Sequence, residues 1–303
     1  MENNTIFEMN KYTSIKTCII QSWKEFATNT KSYLKYLWFH LLIAGLGFAL
    51  FTAESNWIYT EHIQSVNALI ASGISPEVAK AMYAPSWQVI CGGILAFIAY
   101  VIAMYIMMGG IFSQIRFYKA TESLPSTGPF SFWREVKKDG IRAFIFDLIL
   151  NMVLLLCSAI IGMIAWATSW WVLLLILPIF IYLTVIGTSG RMLYVVEKLP
   201  LKTAIPEAFK TGHHKFGGYL ILLILTSIPV LLIYVIAMQP VAIFNLANSA
   251  DAITRLMGDP SGIPPYTLPL YVVTATFAMF ISGIAYALQQ MPLALFTAAV
   301  RKK

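Results

Sequence analysis

Charge is scarce in this 303-residue chain: Asp, Glu, Lys and Arg make up 12% of it, where soluble domains average about 25%. With 58% of its residues hydrophobic, it lacks the alternation of apolar and polar faces that a soluble core of this size requires. Cysteine is scarce too. Cys18, Cys91 and Cys157 are widely spaced, which excludes a disulfide framework and a CxxC redox pair and leaves them as small apolar filler. There is no Walker motif, no HExxH and no selectivity-filter sequence. The first 33 residues are polar and hold Lys11, Lys16, Lys24 and Lys31, with no short apolar core before a small-residue cleavage site. A cleaved signal peptide is therefore not expected, and the first apolar stretch should act as an uncleaved anchor.

What the chain does have is six long apolar runs, roughly Leu34–Ala53, Val89–Phe112, Ala143–Ala165, Val172–Val195, Tyr219–Met238 and Leu268–Thr297. Each reaches the roughly 20 residues that carry a helix across about 30 Å of hydrocarbon. They are apolar all round, as spans facing lipid or one another should be. The expected fold is all-α and polytopic: one membrane domain of six helices.

Nineteen of the 21 lysines and arginines fall on one side of these spans, and only Lys80 and Arg255 on the other. Basic loops resist translocation, so the crowded side is expected to be cytoplasmic, with both termini there, in an inner (plasma) membrane. That side has nineteen basic residues against eight acidic; the far side has two against five, and Asp147 lies within a span. A surplus confined to one leaflet fits anionic lipid headgroups better than nucleic acid, which is not expected as a partner.

The connections make three hairpins: residues 34–116, 142–196 and 217–300, after a cytoplasmic or interfacial segment over 1–33. Two marks suggest a tandem repeat. Arg116-x5-Glu122-x-Leu124-Pro125 matches Arg191-x5-Glu197-x-Leu199-Pro200 without a gap, and an aromatic–base pair opens each unit at Trp23-Lys24, Trp133-Arg134 and Phe209-Lys210. From opening aromatic to closing arginine (Arg116, Arg191, Arg301) the units measure 93, 58 and 92 residues, the difference lying in the outer loops near 54–87 and 240–267. Units that return to their starting side share one orientation, so pseudo-threefold symmetry about the membrane normal is expected.

Each unit is expected to open with an interfacial amphipathic helix, as Ile15, Ile19, Trp23 and Phe26 recur at helical spacing, with an equivalent near Ile205–Lys210. A cytoplasmic helix packed on the bundle is the alternative. In the outer loops, Ile63, Val66, Leu69 and Ile70 give a short helix one apolar face, and Ser75-Pro76-Glu77 reads as the start of another. Trp57, Trp87, Trp166, Trp170 and Trp171 collect at the outer boundary as an aromatic belt.

Few residues carry chemistry, and no catalytic, cofactor or metal constellation emerges. Asp147 is the one charge well inside a span, with Asn151 a turn further on; it reads as a proton or cation relay or, preferably, as the partner of Arg116 or Arg191. Gly187-Thr188-Ser189-Gly190 matches the GxSG of rhomboid-type intramembrane proteases, but span six has no histidine to serve as its base, and close helix packing is preferred. His213 and His214 point about 100° apart on a helix, beside Lys210 and Lys215, and cannot chelate one metal from one face. Thr274, Ala278 and Ser282 on span six, and Gly45, Ala49 and Ala53 on span one, form small-residue stripes suited to helix contact or homo-oligomerisation. Pro178 and Pro229 should kink spans four and five, while Thr184, Gln289 and Gln290 are isolated polar groups. Lys24, Arg134, Lys210 and Lys215 are the expected headgroup contacts.

The loop Arg191–Phe209, with Pro206-Glu-Ala-Phe-Lys leading into span five, and its echo at Arg116–Trp133 resemble those of a diffuse group of bacterial six-helix membrane proteins, themselves similar to the membrane domain of some glycerophosphodiester phosphodiesterases. The resemblance implies envelope or lipid association and brings no catalytic residue. The expected function is that of a non-enzymatic, envelope-associated, lipid-interacting or accessory membrane protein, with a second copy or another membrane protein as the candidate partner; the alternative is a transporter or channel for a small solute or lipid.

Overall fold

The structure is a computed structural model that describes residues 14–121 and 128–301. Lys11, the Glu122–Pro125 copy of the repeated motif and the side chain of Trp170 lie outside the described residues. No strand occurs among the described residues, and six helices are long and apolar enough to cross a membrane. The protein is an all-α, multi-pass membrane protein.

Helix α1 (Ile15–Thr28) starts at Ser14, whose Oγ accepts the Thr17 N–H at 3.2 Å and so satisfies an otherwise unpaired donor. Its buried residues are Cys18 and Ser22, whereas Trp23 and Lys24 are exposed. The large apolar residues of this helix are therefore not its buried face. Helix α2 (Thr30–Ile58) carries span one and continues through a π-helical turn (Tyr59–Gln64) into α3 (Ser65–Ala71). Helix α4 (Pro76–Tyr83) begins as its sequence predicts, with proline in the first turn and the Ser75 Oγ accepting from Val78 N–H.

Spans two and three are α5 (Trp87–Thr121) and α6 (Trp133–Ala167). Because α6 runs unbroken from Trp133, the second hairpin has no separate opening helix among the described residues, unlike the sequence expectation. Span four begins as a 3-10 turn (Trp170–Leu175) and becomes α7 (Ile176–Arg191). Pro178 thus sits in the first turn of α7, where its missing N–H would have had no helical acceptor. A π-helical turn (Met192–Val196) leads to α8 (Leu201–His214), then α9 (Phe216–Leu256) and α10 (Thr267–Arg301). Helix α9 passes unbroken through Pro229 and Pro240, so the expected outer loop from residue 240 is helical to Leu256. Hydropathy reports the width of hydrocarbon, not the length of a hydrogen-bonded helix; at about 1.5 Å per residue, α9 is roughly twice as long as the hydrocarbon is thick.

The chain forms two compact units: Met1–Trp38, Met108–Val230 and Ala285–Lys303 make the first, Phe39–Met107 and Leu231–Ile284 the second. Among the described residues, the sixteen basic residues of the crowded side belong to the first unit, and Lys80 and Arg255 to the second. Tyr36, Leu37, Phe112, Leu193, Tyr219 and Met291 are among the fully buried side chains of the first unit. In the second, Ala49, Val241, Tyr271, Ala275 and Ala278 form a core.

That second core is where small residues matter. A Cβ on Gly45 would come within 2.5 Å of the Thr276 carbonyl oxygen, and one on Gly283 would strike Leu41 and Met107. The span-one stripe packs as expected, and the buried small residues of α10 include Ala275, Thr276, Ala278 and Ser282, with Thr274 only half-buried. The apolar windows of α2 and α10 are 44% buried, against 6% for α5 and 11% for α6 and α9. The outward faces of those three helices far exceed the few hundred Å² of apolar patch found on soluble monomers, and they require lipid as solvent.

Gly45→Val should lower thermal stability in detergent by about 1–3 kcal/mol through overpacking, whereas Gly162→Ala, with nothing within 4 Å of its new Cβ, should leave the melting temperature unchanged. Equal melting of the two variants would contradict this packing. Burial also pushes the Cys18 thiol up to about 11, and only the thiolate is reactive. Near neutral pH the folded protein, with Cys91 and Cys157 replaced by serine, should resist maleimide at Cys18 and label only on unfolding.

Candidate functional site

Asp147 lies about four turns inside α6 and is buried. Arg191, the last residue of α7, donates from Nε to its Oδ1 at 2.8 Å and approaches the same oxygen through Nη2 at 2.6 Å. A further guanidinium N–H reaches the Tyr286 hydroxyl of α10 at 3.2 Å. The arginine that closes the second hairpin thus joins three helices. Arg116, the other partner considered for Asp147, is engaged elsewhere: it bonds Asp139 through Nη1 and Glu135 through Nη2 at 3.1 Å. Asn151, on the Asp147 side of α6, is exposed and is not brought into either group.

The repeated motif has a structural explanation in its second copy. After the π-helical turn the chain reverses at Lys198, whose φ of 54° is the left-handed conformation usually given to glycine at a helix end. Four side-chain contacts hold this turn. Glu197 takes Lys119 of α5 and, at 3.7 Å, Arg301 of α10. Lys198 donates to Glu135 of α6 at 2.7 Å, and the Leu199 carbonyl accepts from Arg142 Nη2 of α6 at 2.7 Å. The Arg142 guanidinium also lies 4.4 Å above the Tyr194 ring. Pro200 then supplies the fixed φ from which α8 starts. Arg191, Glu197, Lys198 and Leu199 therefore tie one short segment to α5, α6 and α10.

The GxSG segment is a packing surface. Gly187 and Gly190 face Leu150, Phe146 and Ala208 so closely that a Cβ would collide. The Ser189 Oγ donates within reach of the carbonyls of Ile186 at 2.8 Å and Ala208 at 3.2 Å. This seats α8 on α7. His213 meets Tyr182, 3.3 Å from Nδ1 to hydroxyl, and Gln289 donates to Ser227 at 2.6 Å. Lys24, Arg134, Lys210 and Lys215 are all exposed, and none has a carboxylate partner among the described residues.

A further cluster, which the sequence reading counted only as charge, occupies the second unit. Arg255 bridges Glu61 at 2.5 Å and Asp251 at 3.0 Å. Asp251 also accepts from the Ser261 hydroxyl and, at 2.8 Å, the Gly262 N–H, fixing the loop before α10. These groups border a cavity of about 350 Å³ with Trp57 and Tyr271. The Asp251–Arg255 spacing, one helical turn, was a legible signal; Glu61, 194 residues away in sequence, left none.

No family model, curated protein or solved structure matches this chain. Its functional reading rests on its own residues.

Removing one partner of a buried pair leaves an uncompensated charge. Asp147→Ala and Arg191→Ala should each lower stability by about 3–5 kcal/mol, with the double variant well short of the sum. Thermal unfolding of the three in detergent checks this; additive losses would show that the pair does not act as a unit.

Proposed function

We propose that this protein is a non-enzymatic component of an inner membrane whose basic face binds the anionic headgroups of the cytoplasmic leaflet, as an organiser of the envelope or an accessory subunit. One observation carries the reading. In the first unit, Glu135, Asp139, Asp147 and Glu197 are occupied by Arg116, Lys119, Arg191 and Lys198, while Lys24, Arg134, Lys210 and Lys215 stay exposed. Acidic residues are used inside the protein and basic ones face outward. The exposed aromatic and basic residues of α1, Trp23 and Lys24, fit a helix lying among headgroups. The lipid association implied by the resemblance to phosphodiesterase membrane domains points the same way.

The same charge partition supports an orientation with both termini in the cytoplasm, and three tandem hairpins derived from one unit. Transport of a small solute or lipid is the second reading, favoured by a carboxylate within a span. Its difficulty is that Asp147 is held by Arg191, whereas a coupling carboxylate must exchange partners.

Native mass spectrometry of protein taken from mixed-lipid nanodiscs tests the first reading. Retained lipid should be enriched in phosphatidylglycerol over phosphatidylcholine. Replacing Lys24, Arg134, Lys210 and Lys215 together by glutamine should reduce that enrichment at least about tenfold, given roughly 1 kcal/mol per basic group near the surface, and salt should weaken it. Indifference of the wild type to headgroup charge would overturn the reading. Single cysteines at Lys80, Ser169 and Arg255 should react with membrane-impermeant reagents in intact cells, and those at Lys137 and Lys215 should not.

A further inference from the structure

The cavity of about 350 Å³ in the second unit is bordered by three stretches of chain. Asn56, Trp57 and Glu61 come from the end of α2 and the π-helical turn after it. Asn248, Asp251 and Arg255 come from α9 at i, i+3 and i+7, which places them on one helical face. Pro264 and Leu268 supply an apolar wall from the loop and the first turn of α10. The volume falls within the range of small-molecule sites.

Ion pairing uses only part of the polar capacity here. Asp251 is saturated by Arg255, Ser261 and Gly262. Glu61 accepts from Arg255 Nη2 through Oε1, which leaves Glu61 Oε2 and Arg255 Nη1 without partners among the described residues. The side-chain amides of Asn56 and Asn248 also bond to no described residue, and unlike the sealed Asn245 Oδ1 they keep accessible surface. Trp57 is 43% exposed. These groups are open to an occupant of the cavity, which would take the place of water on them.

Their chemistry selects that occupant. Two carboxylates against one guanidinium disfavour an anion, and a guanidinium within the site disfavours an ammonium. The free groups are mixed in kind: each carboxamide both donates and accepts, Glu61 Oε2 accepts and Arg255 Nη1 donates. A hydroxyl also does both, so neighbouring hydroxyls satisfy this mixture where a carboxylate or an amine satisfies half of it. Trp57, Pro264 and Leu268 add a surface for aliphatic C–H groups. Hydroxyls around an edge and C–H bonds across a face are the two surfaces of a sugar ring.

We propose that this cavity binds a neutral pyranose sugar. Its C–H face lies on Trp57, and its hydroxyls bond Asn56, Asn248, Glu61 and Arg255. The site belongs to the second unit alone and does not depend on the lipid-binding reading above.

Saturation-transfer NMR on the full chain in phosphatidylcholine nanodiscs, free of glycoside detergents, tests this. The probes are the methyl pyranosides of glucose, galactose, mannose and N-acetylglucosamine, with choline and methyl glucuronide as cationic and anionic counterparts. At least one neutral pyranoside should show transfer at millimolar concentration, strongest at the ring protons of one face. Trp57→Ala and Asn248→Ala should each weaken its binding about tenfold, while Trp87→Ala, at an exposed tryptophan that does not line this cavity, should not. Melting temperatures identify the folded variants, and Asn56→Ala serves where either of the first two fails to fold. Absence of transfer to all four neutral pyranosides would overturn the proposal, as would binding that survives in the folded cavity variants. Preference for choline would give the cavity to an organic cation and preference for the glucuronide would give it to an anion; either result overturns the assignment to a neutral sugar.

Discussion

A carboxylate beside hydrocarbon must have a cation, and the first unit is organised around that requirement. Asp147 is held by Arg191, Asp139 by Arg116, Glu135 by Arg116 and Lys198, and Glu197 by Lys119 and Arg301. Asp139 and Asp147 are buried, so their contacts are not the nearly neutral ion pairs of a soluble surface, whereas Glu135 and Glu197 stay partly exposed. Each joins a helix either to another helix or to the turn at Glu197–Lys198, so the position of each helix end depends on the charge of another segment. The turn at Glu197–Pro200 is the meeting point, and α8 leaves it in the direction that seats its small residues against Ser189 and Gly190.

The surface follows from the interior. Because the paired cations are those nearest the carboxylates, the unpaired ones lie on outward faces of α1, the start of α6 and α8. A different arrangement of the same composition, with carboxylates on the exterior, would carry the same formal charge and far less outward field. Net charge alone therefore did not decide the functional reading; the internal use of acidic residues did. The second unit has the reverse composition, and its lone cluster, Glu61–Arg255–Asp251, ties a helix turn to a loop.

Much of this was legible in the sequence, and the boundary between what was and was not is physical. Six spans follow from long apolar runs, and Ser75-Pro76 marked a helix start, because both signals are local. Arg191 was foreseeable as a partner of Asp147, since a charge in a span limits the candidates to nearby helix ends. The assignment of Asn151 to the same group failed because four residues along a helix leaves room for one side chain to face inward and the next to face lipid. The stripe on α10 was misread by one position at Thr274 for a similar reason: small residues run almost continuously there, and composition alone does not fix the rotation of the helix. The outer segments proved helical since backbone groups near a membrane surface still favour internal hydrogen bonds, even where polar side chains end the apolar run.

The least legible residue is Lys198. A glycine would adopt its φ of 54° without the steric conflict a Cβ introduces, so turn chemistry alone argues against lysine there. What a glycine lacks is an ammonium. From this backbone the side chain reaches Glu135, and it borders two cavities, one of them of about 430 Å³ and lined with Tyr36, Phe117 and Phe132. The strain is local, while the contacts that offset it extend to α6 and to two cavities. Loss of the Lys198–Glu135 contact would therefore act on a strained turn to which α5, α6 and α10 are all fastened.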